Sequence, residues 1–148
     1  MGSAVVQEVL ELAGVPFELV EREATARAVV LLDDELVRLV VIGSGDRLDL
    51  ARARQALRAG PELRAATYAE VAEDFPDFDP RSLPPLGHEA VPEVVDLGLL
   101  YDDDVVLDGG VRIDPRDLLR LCEPRAADIS LRRGDRSTWR SGRRSPSA

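Results

Sequence analysis

Apolar residues along the chain alternate between two periodicities. Val5, Val6, Val9, Leu10 and Ala13 fall on one face at helical spacing, and Gly14 with Pro16 then predicts a helix stop. The pattern next becomes strand-like over residues 17–21, 26–32 and 36–42. Asp33-Asp34 between the last two predicts a hairpin turn. Gly43-Ser44-Gly45 reads as a loop, with Asp49 placed to cap a helix that ends before Gly60-Pro61. A short strand over 63–66 is followed by Thr67-Tyr68-Ala69-Glu70, a capping box that opens another helix. Residues 75–87 carry four prolines and predict an irregular extended loop. Strands follow over 91–96 and 104–108, and Gly109-Gly110 turns the chain into a strand over 111–113. Asp114-Pro115 starts a helix that runs to about Cys122, and 126–130 forms a final strand. Strands and short helices alternate irregularly, which predicts an α+β domain on a mixed or antiparallel sheet.

Composition sets the class. The chain has 148 residues, 45% of them hydrophobic, enough for one domain with a real core. No apolar run is long enough to span a bilayer, and the N-terminus lacks the basic start and apolar stretch of a signal peptide. A single cysteine, Cys122, fits a reducing compartment, so the expectation is a cytoplasmic protein with no membrane partner.

Charge divides the chain in two. Residues 132–148 hold six arginines against one acid, whereas residues 1–131 hold 13 arginines against 27 acids. The expected organisation is therefore a domain over 1–131 and a basic, disordered tail over 132–148. The acidic body repels a phosphate backbone at long range, while the tail could contact RNA. The chain contains no lysine.

Candidate chemistry is sparse. The loop Gly43-Ser44-Gly45-Asp46 lies between a strand and a helix, but Leu48 stands at the third glycine position of a dinucleotide fingerprint, and a phosphate loop would need a lysine. His88 is the only histidine and no ligand spacing supports zinc, so neither metal nor cofactor is expected. His88 could act as an acid or base, and with Cys122 it could form a catalytic pair only if folding brings them together. Asp102-Asp103-Asp104 reads as a solvated turn.

A run of segments carries more information than any one motif. It comprises residues 14–21, the run Ala26-Arg27-Ala28-Val29-Val30-Leu31, and residues 39–42 leading into Gly45-Asp46-Arg47-Leu48-Asp49-Leu50. Ala66-Thr67 with Glu70, Pro85-Leu86-Gly87, Val94-Val95-Asp96, Leu99-Leu100, Gly109-Gly110, residues 114–121 and Ala127-Asp128-Ile129 follow. In this order, over about residues 5–131, the chain resembles the YbaK/ProX family. These are free-standing editing domains that hydrolyse mischarged aminoacyl-tRNA and are related to an insertion in bacterial prolyl-tRNA synthetases. The resemblance implies an α+β domain with a mixed, barrel-like sheet and peripheral helices, whose pocket takes the acceptor end of a mischarged tRNA. It also implies that Gly45, Asp46, Asp49, Gly87, His88, Gly109 and Gly110 bind substrate.

The chain departs from the family at three places. Arg27 stands where the family has a lysine, and is the implied catalytic residue. Only residues 22–25 remain where the family has a helix, which implies a more open site. Arg81 stands four residues before Pro85, where alanine-specific members have glycine. Arginine can donate hydrogen bonds to an oxyanion or a phosphate but does not act as a base near neutral pH. Three functions follow as expectations: a trans-editing deacylase using Arg27, a degenerate member that binds aminoacyl-tRNA or another ligand without hydrolysis, or a protein-interaction module. The amino acid, the tRNA and the oligomeric state are not specified by sequence.

Overall fold

Two apolar runs, residues 28–32 and 39–42, form the heart of the main sheet. The computed structural model describes residues 2–131, so the predicted tail over 132–148 lies outside the described residues. Leu36–Gly43 forms β3 and Ala26–Asp33 forms β2, paired antiparallel in register from Ala26↔Gly43 to Asp33↔Leu36. The turn between them is closed by Asp34 at φ 57°, a left-handed conformation that aspartate tolerates better than most side chains. Residues 39–43 of β3 are all buried, because this strand is covered on both faces.

Short strands extend the sheet on both sides. Arg64–Ala65 (β5) pairs with β2, Val94–Asp96 (β6) lies parallel to β3, and Arg125–Ala127 (β9) lies parallel to β6. The resulting five-stranded order is β5-β2-β3-β6-β9. A second sheet pairs Glu18–Leu19 (β1), Val111–Ile113 (β8) and Val105–Leu107 (β7) in the order β1-β8-β7. Arg47–Leu48 (β4) and Ser130–Leu131 (β10) form a third, two-stranded ladder. The α+β class and the mixed sheet are as expected. The barrel-like closure is not: the five-stranded ladder ends on two separate edges, β5 and β9, and none of the described sheets closes on itself.

Hydrogen bonds stitch the second sheet to the first at the start of β2. The Thr25 amide donates to Val106 O at 2.8 Å, and the Val106 amide donates to the Thr25 hydroxyl at 2.9 Å. Beyond the ladder of β1 and β8, the Val20 amide donates to Gly110 O at 2.8 Å.

The helices cover the sheet faces. Gly2–Ala13 (α1) buries Val6 and Leu10, while Val5 and Ala13 stay in solvent, so its apolar face is narrower than the periodicity predicts. Together with Pro115–Cys122 (α4), which buries Leu118, it packs on Val41, Val95, Val105, Leu107 and Ile113. Leu50–Leu57 (α2) covers the opposite face through Ala53 and Leu57, against Leu31, Val40 and Ile42. Tyr68–Asp74 (α3) sets Val71 beside Phe75 on Ala28, Val30 and Leu39. Each fully buried side chain of this size contributes about 1.5–3 kcal/mol.

The helix starts follow the predicted caps. Asp49 accepts from the Arg52 amide at 3.2 Å, Thr67 and Glu70 complete the reciprocal box, and Asp114 accepts from the Arg116 amide at 2.9 Å with Pro115 at the first turn. A 3-10 turn over Leu97–Tyr101, unmarked by any local signal, links β6 to β7.

Candidate functional site

Two surfaces of the fold collect the residues singled out by sequence. The first is a cleft of about 570 Å³ at the N-terminal end of β2. Its lining includes Arg27 from β2, Ser44 from the turn after β3, and Arg81 from the proline-rich loop. The loop is fixed against β2 because the Ala28 amide donates to Leu83 O at 2.8 Å. Arg27 is half-buried, and its Nη2 donates to Asp46 O at 3.4 Å. The guanidinium of Arg81 lies 5.1 Å from the centre of the Tyr68 ring, a cation–π distance.

The rest of the lining comes from residues 20–24 and from Asp108, Gly109 and Gly110 in the turn between β7 and β8. Both glycines have left-handed φ values, 90° and 79°. This turn is tight: the Gly110 amide donates to Leu107 O at 3.0 Å. The four-residue connection over 22–25 carries no helix, in keeping with the shortened segment in the sequence.

Of the expected site residues, the structure thus brings Arg27, Gly109 and Gly110 to one cleft. Asp46 adjoins it through its carbonyl, while its carboxylate lies against Gly43, where an added Cβ would sit 2.7 Å from Asp46 Oδ2. Gly45 is exposed in the same turn. Asp49 is engaged as the cap of α2 and also pairs with Arg52 at 3.4 Å.

Gly87 and His88 lie elsewhere, in a cavity of about 640 Å³ walled by Phe75 and Phe78. The imidazole sits edge-on to both rings, with centroids at 5.0 and 5.5 Å. Its Nε2 lies 2.7 Å from Pro84 O, so Nε2 carries the proton and donates to that carbonyl. Nδ1 is buried without a hydrogen-bond partner among the described residues. His88 and Cys122 also line one groove of about 380 Å³, but no hydrogen bond joins them. Burial pushes the Cys122 thiol pKa up, opposite to the activation a nucleophilic cysteine needs. Among the described residues no group of three or more His, Cys, Asp or Glu side chains is placed to hold a metal ion. Nor is any described helix long and apolar enough to cross a membrane.

Sequence reasoning overlooked Ser44, Glu21, Glu23 and Asp108 as cleft-lining residues. Asp108 was legible in principle, since it directly precedes the Gly109-Gly110 turn. Glu21 and Glu23 carry no local signal; their position follows from the pairing of Val20 with Gly110.

No family model matches the chain, and no curated protein matches it by sequence. Solved structures do match. A candidate trans-editing enzyme for prolyl tRNA synthetase superposes with a TM-score of 0.71 at 24% identity, over 88% of this chain and 97% of that one. A hypothetical protein superposes with a TM-score of 0.72 at 22% identity, over 86% of this chain and 99% of its own. A candidate signal transduction protein from Marinobacter aquaeolei VT8 matches at 0.69 and 23% identity, over 91% of this chain but 32% of that larger protein. The chain shares the α+β fold of these three proteins.

Proposed function

We propose that the chain is a YbaK/ProX-type deacylase that removes the amino acid from mischarged tRNA in trans, in the cytoplasm. The observation that carries this reading is the convergence of Arg27 and the Gly109-Gly110 turn on one cleft, in a fold shared with a candidate trans-editing enzyme.

The chemistry starts from an ester between an aminoacyl group and the terminal ribose. Water attacks the carbonyl carbon, and negative charge develops on the carbonyl oxygen. Arg27 stabilises that oxyanion by donating from its guanidinium; such a donor typically contributes about 3–4 kcal/mol. Arginine stays protonated, so it does not take the water's proton. That proton passes through solvent, or is relayed through the neighbouring ribose hydroxyl, to the ribose oxygen, which departs as the alcohol as the C–O ester bond breaks and the amino acid is freed. The acceptor end occupies the cleft, and the arginines of residues 132–148 contact the RNA backbone beyond it.

A second reading is favoured by Arg27 itself. Three arginines in the cleft lining (Arg22, Arg27 and Arg81) and no lysine suit binding of an aminoacyl-tRNA without turnover. Incubation with a panel of mischarged tRNAs separates the two. The deacylase releases amino acid from at least one of them faster than the uncatalysed background. Binding without release on every tRNA supports the second reading and removes the first.

A further inference from the structure

The cleft is bipolar. Its lining carries both signs, with Glu21, Glu23 and Asp108 on one pair of segments and Arg27 and Arg81 on another. Each pair is a unit held together by hydrogen bonds. The Val20 amide donates to Gly110 O at 2.8 Å, which binds the strip over 20–24 to the turn that carries Asp108. The Ala28 amide donates to Leu83 O at 2.8 Å, which binds the Arg81 loop to the strand that carries Arg27. The remaining charge on the acidic side does not cancel it, because Arg22 is turned to Asp104 at 2.9 Å. On the basic side, Arg81 is restrained from two directions, by its amide donating to Asp79 Oδ1 at 2.9 Å and by its place over Tyr68.

A cleft lined by separate groups of opposite sign repels a ligand of either single charge from one group and orients a ligand that carries both. We infer that the cleft selects a zwitterion, with a free ammonium group against Glu21, Glu23 and Asp108 and a phosphate against Arg81, which leaves Arg27 for the ester carbonyl between them. Guanidinium matches phosphate geometry bidentately, and carboxylates accept from an ammonium. The cleft, at about 570 Å³, lies within the usual range for sites that take ligands of nucleotide size.

The inference rests on the deacylase reading for the ligand's identity, and it sharpens that reading. The substrate is an aminoacyl ester whose α-amino group is unblocked and whose terminal nucleotide phosphate is intact. An N-acylated ester, such as a peptidyl-tRNA, presents no ammonium to the acidic group and is excluded.

Three stable probes test this by calorimetry on the full chain. The first is an alanyl-aminodeoxyadenosine monophosphate in which an amide replaces the labile ester. The second is its N-acetyl derivative, and the third is its phosphate-free parent. The expected result is at least a roughly tenfold loss of affinity for the second and for the third. The double variant Glu21→Gln, Glu23→Gln loses the discrimination against N-acetylation, whereas Arg81→Gln loses the preference for phosphate. Equal affinity for all three probes, or no binding of the first, overturns the inference, and this comparison needs no variant to fold. Discrimination among the probes without hydrolysis of any mischarged tRNA keeps the zwitterion site and removes the deacylase. Hydrolysis without discrimination keeps the deacylase and removes the zwitterion site.

Discussion

The Val20 amide donates to Gly110 O at 2.8 Å, and a Cβ placed on Gly110 would lie 2.2 Å from Val20 O. No side chain fits at that separation, and Gly110 also holds φ at 79°. Glycine is required here on two counts, close approach and backbone conformation. The contact sets the distance between the segment bearing Glu21 and Glu23 and the turn bearing Asp108, and so shapes one wall of the cleft.

Gly110→Ala is therefore expected to cost about 2–4 kcal/mol in urea unfolding. Gly45→Ala provides the contrast, since nothing lies within 4 Å of the added Cβ. Its stability should stay within about 0.5 kcal/mol of the parent. Equal midpoints for the two variants would contradict this account of the turn.

Arg38 joins three elements. Its Nε and Nη2 donate to the two Glu93 carboxylate oxygens at 2.7 and 2.8 Å, Nη1 donates to Asp33 Oδ2 at 3.2 Å, and Nη2 also donates to Leu57 O at 3.0 Å. The Arg38 and Asp33 side chains are 14% and 21% exposed, so removing Arg38 strands the Asp33 carboxylate and the last carbonyl of α2 in a poorly solvated place, whereas Glu93, 37% exposed, keeps access to water. Arg38→Ala should lower stability by about 2–3 kcal/mol. A change below about 0.5 kcal/mol would show these bonds to be no better than solvation.

The titration of Glu70 offers a test by pH. The Arg64 guanidinium, and then the Thr67 amide of the capping box, lower its pKa from 4.5 to about 2. A depressed carboxyl stabilises the fold above its unfolded pKa, and that contribution is lost as pH falls from about 4.5 through about 2. Carboxyl-detected NMR should find the Glu70 midpoint near 2 in the parent chain and shifted upward in Arg64→Gln. A parent midpoint in the ordinary carboxylate range would remove the ion pair from solution.

How far the fold could be read from sequence depends on how local its causes are. The β2–β3 hairpin was legible because two apolar runs flank a short turn, and the caps at Asp49, Thr67 and Asp114 were legible because a cap is a contact over three residues. The parallel pairings of β3 with β6 and of β6 with β9 were not, since they join segments separated by long connections. The predicted final strand over 126–130 is in fact two, Arg125–Ala127 and Ser130–Leu131, which pair in different sheets. For the cleft, Arg27 and the glycine turn were readable from the resemblance. The positions of Glu21 and Glu23 were not, as they follow from a register between β1 and β8 that no local pattern encodes. His88 beside Gly87 gave no hint of the Phe75 and Phe78 rings that flank it.

Residues 132–148 supply six arginines to a chain that is otherwise acidic. If they bind RNA, deleting them should reduce the slope of log affinity for tRNA against log salt by roughly 0.7–0.9 for each phosphate that the segment neutralises. An unchanged slope would exclude the segment from phosphate binding.

The most direct measurement of the central claim is single-turnover deacylation of the best mischarged tRNA by the parent chain, Arg27→Ala and Arg27→Lys. If Arg27 stabilises the oxyanion, Arg27→Ala lowers the rate by about 10²–10³ with tRNA affinity little changed. Arg27→Lys, which keeps a cationic donor at that position, retains most of the activity. An Arg27→Ala variant that hydrolyses the ester at the parental rate would contradict the account.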